Sequence, residues 1–125
     1  VVRTADGSGN LLTSTSNALD VNLKTSSITI TTKETRSSTS AVTQVGDSAS
    51  SVTLLSANAN RLGVSIINLS SAILYLKLGT TASATDCTAV LYQNGFWSDE
   101  LYTGRVDAIW SADVGGSASI TELTA

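Results

Sequence analysis

The residue types that ordinarily do chemistry are sparse in this chain. Its 125 residues include no histidine and one cysteine, Cys87. Without histidine, the commonest general base, the commonest zinc ligand and every Ser-His or Cys-His nucleophile pair are missing. One thiol does not make a tetrahedral zinc site, and it cannot form an intrachain disulfide. Cys87 reads as a small buried residue in a strand. Asp99 and Glu100 are adjacent, and Asp107 follows Arg105 by two positions. A glycosidase needs two acids facing each other across a cleft. This spacing instead suggests solvated strand ends and a surface Arg105–Asp107 pair. Asp6, Ser8 and Asn10 imitate the start of a calcium loop, but the position needing glycine is Leu11 and the position needing a bidentate acid is Asn17. No glycine-rich phosphate cradle is present. Asn68-Leu69-Ser70 matches a glycosylation sequon and reads as a hairpin turn. The sequence therefore predicts a non-enzymatic protein with no cofactor and no metal.

Partners are constrained by charge. Charged residues make up 14% of the chain, against roughly 25% in ordinary soluble domains, and Ser and Thr take their place. Such a surface has little self-repulsion to keep copies apart. The net charge is −3, and Arg3, Lys24, Lys33, Arg36, Arg61, Lys77 and Arg105 are scattered, so the basic footprint of a nucleic-acid binder is lacking. No apolar run reaches the roughly 18 residues of a membrane span, and the first residues do not follow the signal-peptide pattern.

The elements that would position any site divide the chain in two. All six aromatic residues lie at or after Tyr75, whereas residues 1–45 are rich in Ser and Thr. A boundary is expected near Gly46-Asp47. In the first part, Leu19, Val21 and Leu23 alternate with polar residues, as do Ile28 and Ile30, the period of half-buried strands. Two short strands with so few aliphatic side chains cannot fold alone. Residues 1–45 are thus expected to form an extended β arm that orders against a partner, with a reach on the order of 150 Å. Residues 46–125 predict strands at 50–55, 62–69, 72–78, 86–92, 95–98, 105–111 and 117–123, with at most one helical turn within 54–61. Leu74, Leu76 and Leu78 should share one face; Val106, Ala108 and Trp110 should share another. Asn94-Gly95 between Leu91-Tyr92 and Phe96-Trp97 signals a hairpin. Short strands at this spacing predict an all-β fold, an antiparallel β-sandwich or jelly-roll-like domain preceded by the arm. There is no proline, so edge strands lack one guard against pairing. Tyr92, Phe96, Trp97 and Tyr102 cluster within the sequence either as a sugar or receptor platform or as core and interface packing. Trp97 is the expected interface anchor.

Several phrases occur in a recognisable order. Ser51-Val52-Thr53-Leu54-Leu55 precedes Ala57-Asn58-Ala59-Asn60-Arg61. Ile66-Ile67-Asn68 and Ala72-Ile73-Leu74-Tyr75-Leu76-Lys77-Leu78-Gly79 come next, followed by Thr81-Ala82-Ser83. Tyr102-Thr103-Gly104-Arg105-Val106-Asp107-Ala108-Ile109-Trp110 and Ile120-Thr121-Glu122-Leu123-Thr124 close the chain. In these phrases residues 46–124 resemble a module of tailed-bacteriophage virion proteins. Upstream, Val2-Arg3-Thr4-Ala5-Asp6-Gly7-Ser8-Gly9-Asn10 and Ala18-Leu19-Asp20-Val21-Asn22-Leu23 extend the likeness. The chain departs from it at Phe96-Trp97-Ser98, where an aromatic hairpin such as Gly-Tyr-Tyr is expected. The resemblance implies a virion structural component on the outer surface of the particle, trimeric, and either a capsid decoration (cement) protein or a fibre-like attachment. Its partners would be copies of itself and the major capsid protein or another virion protein. For a fibre, a host glycan would be a partner too. The implied interface residues are Leu19, Val21, Leu23, Ile28 and Ile30 of the arm and Tyr92, Phe96, Trp97 and Tyr102 of the sandwich.

Overall fold

The computed structural model describes residues 5–6, 9–10 and 34–125. These fall in two units, Val1–Lys33 and Glu34–Ala125. In the first, β1 (Ala5–Asp6) pairs antiparallel with β2 (Gly9–Asn10), Ala5 opposite Asn10 and Asp6 opposite Gly9. The pair flanks the turn expected from Asp6-Gly7-Ser8-Gly9-Asn10, whose central Gly7 and Ser8 lie outside the described residues. Leu19, Val21, Leu23, Ile28 and Ile30 lie outside the described residues.

The second unit consists of eight strands: β3 (Thr39–Gly46), β4 (Val52–Leu55), β5 (Arg61–Asn68), β6 (Leu74–Leu78), β7 (Ala89–Leu91), β8 (Phe96–Asp99), β9 (Val106–Trp110) and β10 (Ser117–Thr124). They form two four-stranded sheets, in the orders β3-β10-β5-β8 and β4-β9-β6-β7, and every pairing is antiparallel. Each connection crosses from one sheet to the other except β6–β7. This is an antiparallel β-sandwich with jelly-roll connectivity. No helix occurs among the described residues, and none is long and apolar enough to cross a membrane.

Period-two alternation builds the core. Leu74 and Leu76 of β6, Val106, Ala108 and Trp110 of β9, Val64 and Ile66 of β5, and Ala118 and Ile120 of β10 point between the sheets. Leu78 packs at the margin of the same cluster. Burying such side chains stabilises the fold by ~25 cal/mol per Å² of apolar surface.

Three expectations need correction. Residues 39–45, expected in the arm, are strand β3 of the first sheet, paired with β10 from Thr39–Thr124 to Gly46–Ser117 without a register shift. Their small, uncharged side chains gave no apolar stripe, and backbone pairing with β10 supplies the order instead. Asn94-Gly95 turns the chain, but not within a hairpin: β7 pairs with β6 and β8 with β5, so this turn carries the chain between sheets. Cys87 is half-buried and precedes β7 rather than lying within a strand.

Candidate assembly surface

β5 carries a buried polar group at each end. At its start, Arg61 is 4% exposed. Its Nε donates to Glu122 Oε2 of β10 at 2.7 Å. Its Nη1 donates to the carbonyls of Tyr102 (3.2 Å) and Gly104 (2.8 Å), and its Nη2 to that of Ser56 (2.6 Å). Asn58 Nδ2 also donates to Glu122 Oε2, at 3.1 Å. A planar fork of donors suits this task, since a lysine's single nitrogen could not span the four acceptors that three Arg61 nitrogens reach. At the end of β5, Asn68 is fully buried. Its Nδ2 donates to Ala72 O (2.8 Å) and Leu91 O (2.9 Å), while its Oδ1 accepts from Ser70 N–H and Trp110 Nε1–H. The sequon asparagine therefore has both amide hydrogens committed inside the fold. Because Leu91 and Trp110 belong to the second sheet, Asn68 ties the two sheets together.

Asn68 also sets the aromatic turn. Its backbone N–H donates to Gly95 O, and its carbonyl accepts from Asn94 N–H. Gly95 N–H closes the turn onto Tyr92 O at 2.7 Å, with Asn94 at φ 64°, the positive φ a type II turn needs at its third residue. A side chain at Gly95 would meet Tyr92 O at 2.8 Å. Tyr92 and Phe96 flank this turn, 66% and 63% exposed. Strand alternation separates the aromatics: Trp97 pairs with core residue Ile66, and Phe96 with Ile67. Trp97 is thus turned inward and packs on the core, as does Tyr102. The Tyr102 hydroxyl donates to Arg105 O at 3.2 Å, and its ring lies against Gly104, where a Cβ would come within 2.4 Å of the hydroxyl oxygen. Asp99 holds the adjoining loop by accepting from Tyr102 N–H (2.6 Å) and Leu101 N–H (2.9 Å). These bonds, Tyr102 first, lower its carboxyl below the ordinary value. The four aromatics therefore form no single platform. Two are exposed and two serve the core.

The broad surface is the outer face of the first sheet. The ladders align Val42, Thr121, Ser65 and Ser98 across it, and beside them Gln44, Ser119, Ile67 and Phe96. Ser40, Leu123 and Gly63 form a third row. None of these outward residues is charged. The second sheet is different. On its outer side Arg105 Nε and Nη2 donate to Asp107 Oδ1 (2.7 Å) and Oδ2 (3.1 Å), and Thr81 N–H adds a bond to Oδ2 at 2.7 Å. Asp107 is 1% exposed, so the expected surface pair is half-buried: residues 79–82 fold over it, with Thr81 at φ 60°. Burial pushes the Asp107 carboxyl up. The bonds from Arg105, Thr81 and Thr53 outweigh it and leave the pKa lowered. Lys77 and Asp86 pair on the same side. Apart from the Arg61–Glu122 pair and Asp99 at strand ends of the first sheet, the charged residues of the sandwich lie on the second sheet's outer side and in the loops.

At one end of the sandwich, Asp47 accepts from the Ser70 hydroxyl (2.5 Å), Gly116 N–H (2.9 Å) and Gly115 N–H (3.2 Å). The Ser70 bond leads in lowering its pKa. Gly116 is required there, since a Cβ would sit 2.6 Å from Ser70 Cα. Among the described residues, no group of three or more His, Cys, Asp or Glu side chains is placed to hold a metal.

Searches of protein-family models, of curated proteins and of solved structures return no match to this chain. Sequence reasoning missed the face built on Val42, Thr121 and Ser65. Its one local signal is the absence of charge from alternate positions of residues 40–44, 117–123 and 65–67. The buried roles of Arg61 and Asn68 carry no local signal, because a satisfied buried polar residue is spelled like a surface one.

Proposed function

We propose that this chain is a non-enzymatic structural protein of a bacteriophage particle, a capsid decoration (cement) protein that docks on the head and stabilises it. One observation carries this reading: the first sheet presents a continuous uncharged outer face, with Val42 and Phe96 exposed at opposite margins. A face of Ser, Thr, Val, Ile and Phe costs less to desolvate than a charged one and has no like charges to oppose contact, which suits protein–protein association. Jelly rolls recur in viral capsid proteins and in lectins. The fold is compatible with the reading without selecting it. The resemblance of the quoted phrases to phage virion modules is the ground for naming the particle, its outer surface and the trimer. Several weak contacts on one trimer then act together by avidity, and apolar area buried at each contact adds to binding once association costs are met.

Co-sedimentation of the purified protein with undecorated heads of the phage that encodes it tests the reading. Binding that saturates, with heads gaining resistance to heat or chelator, is expected. Heads that stay bare at saturating protein concentration refute it.

A second reading, a fibre segment that binds a host glycan, is favoured by the exposed Tyr92 and Phe96 on either side of one turn. On that reading Tyr92→Ala and Phe96→Ala abolish polysaccharide binding in isothermal titration while leaving assembly intact.

A further inference from the structure

We propose that β3 is a joint between copies of this chain: its outer edge, which no strand among the described residues pairs with, pairs antiparallel with β3 of a second copy about a two-fold axis at Val42. The inference rests on the assembly reading and names one of its contacts.

Four strands lie at the edges of the two sandwich sheets, and three of them are guarded. β7 has three residues; β8 has four and ends on Asp99; β4 has four and its pairing with β9 shifts register. Short, charged or bulged edges resist pairing with another chain. β3 has eight residues, Thr-Ser-Ala-Val-Thr-Gln-Val-Gly, with no charge and no proline, and its ladder with β10 is unshifted. Val42 is 64% exposed.

The ladder also shows which backbone groups have no partner among the described residues. Asp47 N–H donates to Gly116 O just beyond the strand, and in an antiparallel pair such bonds alternate along the chain. The N–H and C=O of Val45, Thr43 and Ala41 therefore face β10, and those of Gln44, Val42 and Ser40 face the outer edge. Turned about Val42, the strand is complementary to itself: Val42 meets Val42 of the second copy and Ser40 meets Gln44, each pair exchanging both bonds. The side chains of these residues lie on the uncharged outer face, which would continue across the joint as one eight-stranded sheet. A charged peptide would meet no opposite charge along this edge, whereas a second neutral β3 matches it in length, charge and hydrogen-bond phase. Addition of a strand at a sheet edge is an established recognition mode. A two-fold contact is isologous and closes on itself, so it links one trimer to another rather than building the trimer.

Sedimentation equilibrium of the full-length chain tests this. The wild type should have twice the mass of Val42→Lys, with unchanged far-UV circular dichroism for the variant. Facing residues of such a pair have Cα atoms about 5.5 Å apart, within disulfide range. In a Cys87→Ser background, Val42→Cys should therefore oxidise to a covalent dimer, while Phe96→Cys, equally exposed on the far edge, should not. An associating wild type whose mass Val42→Lys leaves unchanged, or equal cross-linking at both cysteines, overturns the joint and spares the assembly reading. A monomeric wild type overturns both.

Discussion

Replacing Asn68 by alanine tests whether the two sheets depend on one buried amide. Asn68 has no exposed surface, and its side chain donates to two carbonyls and accepts from two N–H groups. Truncation would leave Ala72 O, Leu91 O, Ser70 N–H and Trp110 Nε1–H without that partner. Each orphaned buried group costs ~1–3 kcal/mol, so the simple sum runs from ~4 to ~12 kcal/mol. The upper part of that range is not reached, because the space vacated by the amide is polar and large enough for a water with two to four partners. A net loss of ~3–5 kcal/mol is expected, the scale of breaking a buried hydrogen-bond network. Domains of this size have ~5–15 kcal/mol of stability in all, so the variant should fold but marginally. Asn68→Asp should be at least as damaging at neutral pH, since it turns a carboxylate oxygen toward the two carbonyls. Urea unfolding followed by tryptophan fluorescence supplies the test. The midpoint should fall at unchanged slope, and the near-ultraviolet dichroism of Trp110 should weaken with loss of its Nε1 bond. A loss under ~1 kcal/mol at unchanged slope, no more than one ordinary hydrogen bond, would show that the sheets are held by apolar packing alone.

Gly116→Ala should cost ~1–3 kcal/mol, the range for forced overpacking, because the new Cβ meets Ser70 where Ser70 bonds Asp47; thermal unfolding checks this. Stability should also depend on acid. Asp47, Asp99 and Asp107 are held below 3.8 in the folded chain, so the unfolded chain takes up protons first on acidification. Their contribution is complete above the ordinary carboxylate pKa and is lost as pH falls through the folded values. The urea midpoint should be flat from about pH 7 to about pH 5 and decline below about pH 4, with a shallower decline in Asp107→Asn. Truncations should separate arm from sheet. Deleting residues 1–33 should leave the sandwich folded, whereas deleting 1–45 removes β3, bares the β10 edge and should cause aggregation on size exclusion.

The sequence alone determined seven of the eight sandwich strands and the faces they bury. Leu74, Leu76 and Leu78, and Val106, Ala108 and Trp110, show a period of two that needs no partner to be read, because side-chain direction in a strand is a local property. The same local reading excluded histidine-dependent chemistry. Tertiary structure decided which strands meet. Asn94-Gly95 encodes a turn, yet only the pairing of β7 with β6 and β8 with β5 makes it a crossing between sheets and sends Phe96 outward and Trp97 inward. β3 is a strand because β10 offers it a ladder, since its own side chains are too small and polar to mark a buried face. Arg61, Asn68 and Asp47 are buried because loops distant in sequence supply their partners. That satisfaction is a property of three-dimensional neighbours, which no local pattern of residue types records.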